Sequence, residues 1–153
     1  MLGSGAYSEL FTRGRHVLHQ TEIALRWGEM DALGHLNNVT FFRLMEEARV
    51  QWCQAVGIEL SSHDQGVVVV RVGCDFLRQV HYPATLRLES SVEKIGRSSI
   101  DLRQQMFVVG GPPEPCAEGH SRIVWIDFGS AKSAPLPDPL RARLQQYLPT
   151  SHA

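Results

Sequence analysis

The sequence has little of what marks secreted, membrane or nucleic-acid-binding proteins. Its three cysteines are an odd number without CxxC spacing, which favours reduced thiols over a disulfide framework. No apolar run approaches the roughly 18–20 residues of a membrane span, and the first residues do not resemble a signal peptide. With 15 basic and 16 acidic residues, the net charge is -1, so no overall positive field attracts nucleic acid or anionic membranes. We therefore expect a soluble, cytoplasmic protein that binds neither.

The length and the apolar content are sufficient for one domain with a real core. The chain has 153 residues, of which 43% are hydrophobic, and domains of roughly 100–200 residues are typical. We expect an N-terminal arm over residues 1–19, a single domain over residues 20–148 and a C-terminal tail over residues 149–153.

The hydrophobic pattern first changes from a strand period to a helix period before the middle of the chain. The first segment alternates in the manner of a half-buried strand, with Trp27 on its buried side. Over residues 38–56, apolar side chains recur every three or four positions, which predicts a helix. Asn37 or Asn38 is suited to cap its start, and Gly57 is suited to follow its end.

The rest of the chain is predicted as strands, followed by a short C-terminal helix. Val67–Val72 is a β-branched run typical of a strand that is buried on both faces. Alternating segments follow, separated by turns at residues 96–99 and 110–113. This order predicts an α+β fold in which a curved antiparallel sheet of about five strands wraps around one long central helix. The exposed sheet edges favour a homodimer.

The segment between the first strand and the helix carries more chemistry than any other. Asp31, His35, Asn37 and Asn38 fall within eight residues. The first N–H groups of a helix have no partners within it and lie at the positive end of its dipole, so they can polarise a bound carbonyl. From spacing alone, a turn-forming or capping role explains Asp31 as well as catalysis does.

A family resemblance is carried by two adjacent runs, DALGHLNN at residues 31–38 and FFRLMEEAR at residues 41–49. They resemble the signature of hotdog-fold acyl-CoA thioesterases, above all the 4-hydroxybenzoyl-CoA thioesterase-like branch and its bacterial long-chain acyl-CoA members with a D-x-x-x-H-x-N-N pattern. The similarity extends over residues 20–148. It implies hydrolysis of an acyl-CoA thioester to a free acid and CoA, with no metal and no cofactor beyond the CoA of the substrate.

The resemblance implies catalytic roles for Asp31, His35 and Asn38. Asp31 is expected to act as the general base for water or as the direct nucleophile, and both alternatives stay open. The backbone N–H of Asn38 is expected to polarise the thioester carbonyl, and His35 to assist. Some relatives carry His where this chain has Asn38, and plant-type acyl carrier protein thioesterases carry Asn at the position of Leu33. Neither of those arrangements is complete here.

Substrate contacts are expected at the helix start and in the 96–99 turn. Arginine and hydroxyl groups are suited to bind the phosphates of CoA. The expected contacts are Arg97, Ser98, Ser99, Asn37 and Phe41, with Arg71 and Arg78 as less specific candidates and with Phe42, Met45 and Trp52 as further candidates to line an acyl tunnel.

The expected assembly is a homodimer that pairs further into a homotetramer. Two other functions stay open, a hydratase or dehydratase that acts on acyl thioesters and a domain that binds acyl-CoA without hydrolysing it. Hydratases of this fold carry D-x-N-P-x-H or a His–Glu pair, and this sequence lacks the Asn-Pro. The cysteines have no evident His partner and are expected in the core or at the surface rather than as nucleophiles.

Overall fold

The described part of the chain begins with a strand, a short turn and a helix. The computed structural model describes residues 17–148, so residues 1–16 of the predicted arm and the predicted tail lie outside the described residues. Strand β1 (Val17–Ala24) begins before the alternating segment and includes the last three residues of the predicted arm. A 3-10 turn (Trp27–Glu29) and helix α1 (Asn38–Ala55) follow.

Both ends of α1 have the predicted signals. Asn37 is the N-cap, because its Oδ1 accepts a hydrogen bond from the backbone N–H of Val39 at 3.0 Å. Gly57 has a φ of 82°, the left-handed conformation that glycine adopts after a helix. The prediction for Trp27 was wrong. Its side chain is 76% exposed, because β1 ends at Ala24 and the 3-10 turn breaks the alternation.

Antiparallel strands and a short helix follow α1: β2 (Gln65–Phe76), β3 (Thr85–Ile95), β4 (Ser99–Val108), β5 (Ala117–Asp127), β6 (Lys132–Ser133) and α2 (Asp138–Gln145). The strand order is β1-β3-β4-β5-β2, and β6 pairs with β5. The two α-helices within residues 17–148 have 18 and 8 residues. The α+β class is confirmed, since this part of the chain forms a six-stranded sheet with those helices. One long central helix enclosed by the sheet stays an expectation. No helix within residues 17–148 is long and apolar enough to cross a membrane.

Helix α1 packs against the inward-facing residues of the sheet. Its N-terminal half shares one buried cluster with Leu88 and Met106, and its C-terminal half shares another with Leu102 and α2. Met45 and Trp52 are fully buried in these clusters, so they are core residues. The fully buried Gln104 fastens helix to sheet, because its Nε2 donates to the backbone oxygen of Met45 at 3.0 Å.

The prediction that Val67–Val72 is buried on both faces was wrong. Strand β2 is at the edge of the sheet and pairs only with β5 among the described strands. Val69, Val70 and Val72 are exposed. A continuous apolar run is typical of a strand with two covered faces, but in this chain it forms an apolar edge.

Gly119 gives a test of how closely α1 approaches the sheet. A Cβ atom at this position would overlap Sδ and Cε of the buried Met45. Because Met45 is fully buried, its side chain has to shift within the packed core, and we expect Gly119→Ala to lower the free energy of unfolding by about 1–3 kcal/mol, measured by urea denaturation. Gly73→Ala, where the new methyl group meets open space, should stay within about 0.5 kcal/mol of the unaltered protein. Equal stability of the two variants would contradict the packing.

Candidate active site

The backbone between the 3-10 turn and α1 reverses direction and forms a short hydrogen-bonded loop. Met30 and Leu36 form an antiparallel bridge, and the N–H of Asp31 donates to the carbonyl of His35 at 2.7 Å. Gly34 makes the reversal with a φ of 78°, a conformation in which glycine is unstrained. We call residues 31–35 the closed loop. It holds Asp31 and His35 next to the start of α1.

The carboxylate of Asp31 is oriented by the backbone of the closed loop. Its Oδ1 accepts hydrogen bonds from the N–H groups of Leu33 at 2.9 Å and His35 at 3.1 Å, as in an Asx-turn. Its Oδ2 has no hydrogen-bond partner among residues 17–148. One oxygen therefore shapes the turn, and the other is available for chemistry.

The start of α1 supplies an unused hydrogen-bond donor. The side chain of Asn37 occupies the N–H of Val39, and the carbonyl of Asn37 accepts from the N–H of Thr40. The N–H of Asn38 has no partner within the described part of the chain. At the positive end of the helix dipole, this group can bind a carbonyl oxygen or an oxyanion.

One cavity brings together the three predicted catalytic residues and one of the predicted substrate contacts. It has a volume of about 250 Å³ and is bordered by Asp31, His35, Asn38 and Phe41. Asn37 is not among its lining residues, and its side chain caps α1 instead. A carboxylate oxygen, a helix N-terminus and an imidazole thus border one space, an arrangement suited to polarise a carbonyl and activate a nucleophile next to it.

The other wall of this cavity comes from residues that the sequence analysis missed or ranked low. It is lined by Phe76 at the end of β2 and by Leu77, Arg78 and Gln79 in the segment that follows. The ring of Phe76 meets that of Phe41 edge to face at 5.2 Å between centroids. Arg78 is paired with Glu114 at 2.7 Å and places a cation in the cavity. These residues are far from the closed loop in the sequence, so local spacing gave no signal for them.

His81 was also missed, and it contacts the closed loop directly. Its Nδ1 lies 3.2 Å from the carbonyl oxygen of Gly34, which can only accept, so Nδ1 carries the proton. The His81 ring meets that of His35 at 4.8 Å between centroids in an edge-to-face arrangement. The neighbouring Val80 accepts from the N–H of Leu36 at 2.7 Å. This segment therefore fastens the loop to the sheet.

The structure does not bring the 96–99 turn to this cavity within one chain. The closed loop lies near the Thr85 end of β3, where the N–H of Leu25 donates to the carbonyl of Ala84 at 2.9 Å. The turn follows the other end of the strand. At about 3.3 Å per residue, the 11 residues of β3 separate the two regions by roughly 30 Å. The expected CoA contacts Arg97, Ser98 and Ser99 are thus remote from Asp31 of their own chain.

The cysteine thiols are unsuited to nucleophilic attack. Cys53 and Cys116 are buried, and Cys74 is partly buried. Burial raises the pKa of each of these thiols to about 11. They therefore stay protonated near neutral pH, and the thiolate is the reactive form.

The chain is similar to a known protein family and to a curated enzyme. A family described as the thioesterase-like superfamily matches residues 25–144. The long-chain acyl-CoA thioesterase FadM of Escherichia coli is 26% identical over 138 residues, which are 84% of this chain and 98% of that protein.

Two solved structures carry the same fold. The PA2801 protein of Pseudomonas aeruginosa superposes with a TM-score of 0.77 at 38% identity, over 82% of this chain and 96% of that one. A Thermus thermophilus thioesterase complexed with coenzyme A and Zn superposes with a TM-score of 0.72 at 27% identity. The match covers 88% of this chain and 96% of that one. Since the family match spans most of the chain, this protein belongs to the thioesterase-like superfamily and is a thioester hydrolase with the hotdog fold.

Proposed function

We propose that this chain hydrolyses an acyl-CoA thioester to a free carboxylic acid and CoA, in the cytoplasm and without a cofactor beyond the CoA of the substrate. The observation that carries the proposal is the pairing, at one cavity, of an unoccupied carboxylate oxygen with an unoccupied helix N–H. The similarity to an acyl-CoA thioesterase and to a CoA-bound thioesterase supports this substrate class. Family membership favours hydrolysis over the hydratase and binding-domain alternatives.

The proposed reaction uses two groups that border the cavity, the backbone N–H of Asn38 and the carboxylate of Asp31. The N–H of Asn38 donates to the thioester carbonyl oxygen and stabilises the negative charge that develops there. Asp31 Oδ2 takes a proton from water as the oxygen of that water bonds to the carbonyl carbon, or it bonds to that carbon itself. The C–S bond then breaks, and the sulfur leaves as the CoA thiolate and takes up a proton. Where Asp31 itself has bonded to the carbonyl carbon, the acyl group is held as an anhydride, and water then hydrolyses it to the free acid and the Asp31 carboxylate. His35 borders the same space and assists.

Asp31→Asn tests the carboxylate without disturbing the closed loop. The amide oxygen of asparagine can still accept from the N–H groups of Leu33 and His35, whereas the base or nucleophile is lost. We expect kcat to fall by about 100-fold or more with acyl-CoA substrates. The measurement is a hydrolysis assay over short, long and aromatic acyl chains.

A matched substitution at a remote aspartate controls for the loss of one negative charge. Asp64 is exposed in the loop before β2, and Asp64→Asn should leave kcat unchanged. If Asp31→Asn hydrolyses every substrate at the rate of the unaltered enzyme, Asp31 has no role in the chemistry.

His81 is expected to act through the closed loop rather than on the substrate. His81→Ala removes the donor to the Gly34 carbonyl and the ring contact with His35, so we expect kcat to fall roughly fivefold to tenfold with little change in KM. His81→Asn keeps an N–H donor near the position of Nδ1 and should recover most of the lost rate. Full activity of His81→Ala, or equal impairment of both variants, would contradict this role.

The apolar edge of β2 supports the expected homodimer. Val69, Val70 and Val72 are exposed along a strand whose outer side has no partner among the described strands. Such edges promote pairing with another chain. We propose that two copies pair β2 against β2 in antiparallel fashion around a two-fold axis. A homotetramer formed from two such dimers stays a prediction.

This dimer would explain how the 96–99 turn could serve a site from which it is remote within one chain. When two edge strands pair in antiparallel fashion, one sheet is reversed relative to the other, so opposite ends of the two sheets lie on the same side of the dimer. The 96–99 turn of the partner subunit would then face the end at which the closed loop lies. CoA could extend from Asp31 of one chain toward Arg97 of the partner subunit.

Subunit mixing tests whether Arg97 serves the site of the other chain. We expect Arg97→Ala to raise KM for acyl-CoA about tenfold, because hydrogen bonds to charged groups contribute strongly to binding. In a heterodimer of Arg97→Ala and Asp31→Asn chains, one site would hold both native residues, so mixing should produce activity with the native KM. If Arg97 serves its own chain, mixing gives no low-KM activity. Lys94→Ala, near the same turn, should leave KM unchanged.

A further inference from the structure

A buried charge lies on α1, away from the candidate active site. Only 8% of Arg49 is exposed. Within residues 17–148, its guanidinium makes one hydrogen bond, from Nη1 to Ser121 Oγ at 3.4 Å. A guanidinium carries five N–H donors, and a buried cation without a counter-charge is strongly destabilising. Arg49 lines an open groove, where water reaches the rest of the guanidinium, so a partner that covers this groove has to replace that water with an acceptor.

The carboxylate one helical turn away does not supply that acceptor. Glu46 lies one helical turn before Arg49 and is exposed. It is close enough to raise the pKa of the Arg49 guanidinium, against the larger opposing effect of burial. No ion pair between the two is present among the described residues. The guanidinium and the carboxylate are thus neighbours that do not neutralise each other directly.

Both residues line a groove that opens on the apolar edge of the sheet. The groove has a volume of about 360 Å³, and its other lining residues are apolar or a protonated thiol. Val67, Val69 and Val72 of β2 form one side, and α1 forms the other. We call it the α1–β2 groove. It continues the edge that the proposed homodimer would cover, so a second copy of the chain is the occupant that fits it.

The two charged residues of the groove, Glu46 and Arg49, are complementary to the same two residues on a second copy of the chain. In a two-fold interface, if one residue contacts another across the axis, the reverse contact also occurs. Residues 46 and 49 are separated by about 4.5 Å along the helix axis. A two-fold axis that passes between them places each arginine opposite the glutamate of the other helix.

We propose that Arg49 is paired with Glu46 of the partner subunit across the two-fold axis of the homodimer. This inference rests on the homodimer of the proposed function and adds the ion pairs that fix its register. The apolar residues of the α1–β2 groove surround the pairs and exclude water from them, which strengthens the attraction.

Charge reversal with subunit mixing tests the pairs. Glu46→Arg alone and Arg49→Glu alone each place like charges across the axis, so we expect the dimer Kd to rise by about 100-fold in sedimentation equilibrium. In an equimolar mixture, the heterodimer sets the introduced arginine of one chain against the introduced glutamate of the other. Its second pair joins the native Arg49 to the native Glu46, so both pairs are attractive. Mixing should therefore restore a dimer, which a misfolded chain could not form.

Glu47→Arg is the matched control, because Glu47 is exposed and accepts from Gln51 Nε2 of its own helix at 3.0 Å. Its Kd should equal that of the unaltered protein. The proposal is overturned if either reversed chain dimerises normally, if the mixture stays monomeric, or if Arg49→Glu changes acyl-chain preference while assembly is unchanged. A monomeric unaltered protein would overturn the homodimer as well, whereas a dimer that is insensitive to both reversals overturns the ion pairs alone.

Discussion

The candidate site depends on the closure of the chain between Met30 and Leu36. The bridge between these residues leaves five residues to reverse the direction of the backbone, and the reversal leaves N–H groups that need an acceptor. Asp31 Oδ1 supplies it. The carboxylate is consequently held by the backbone that it stabilises, and α1 begins three residues after the loop. The acid and the helix N-terminus are therefore placed as one unit.

This closure removes the conflict between the two interpretations of Asp31. A turn-forming aspartate and a catalytic aspartate are alternatives only if both carboxylate oxygens serve the same purpose. In this loop Oδ1 is engaged by two N–H groups, and Oδ2 has no partner in the described residues. An engaged Oδ1 restricts rotation of the carboxylate, so the entropy of orienting Oδ2 is lost on folding and not during the reaction.

The features that could be predicted from the sequence are those set by neighbouring residues. The period of α1, its Asn37 cap and Gly57 after its end depend on interactions within a few positions, and so does the cluster of Asp31, His35 and Asn38. Sheet position is different. The β-branched run of β2 is compatible with a central or an edge strand, and only the strand order decides between them. Phe76, Arg78 and His81 reach the site through that order, so no local pattern marked them.

Two features of the chain are unfavourable for an isolated molecule, and both concern one side of it. Strand β2 exposes valines along an unpaired edge, and Arg49 buries a cation with a single hydrogen bond beside that edge. A hydrophobic partner alone would cover the valines and make the desolvation of Arg49 more costly. A second copy of the chain, which presents the same face, would cover the valines of β2 and also supply a carboxylate to the Arg49 guanidinium. Because α1 and the end of β2 also border the candidate active site, the two elements of the proposed interface are also elements that form the site.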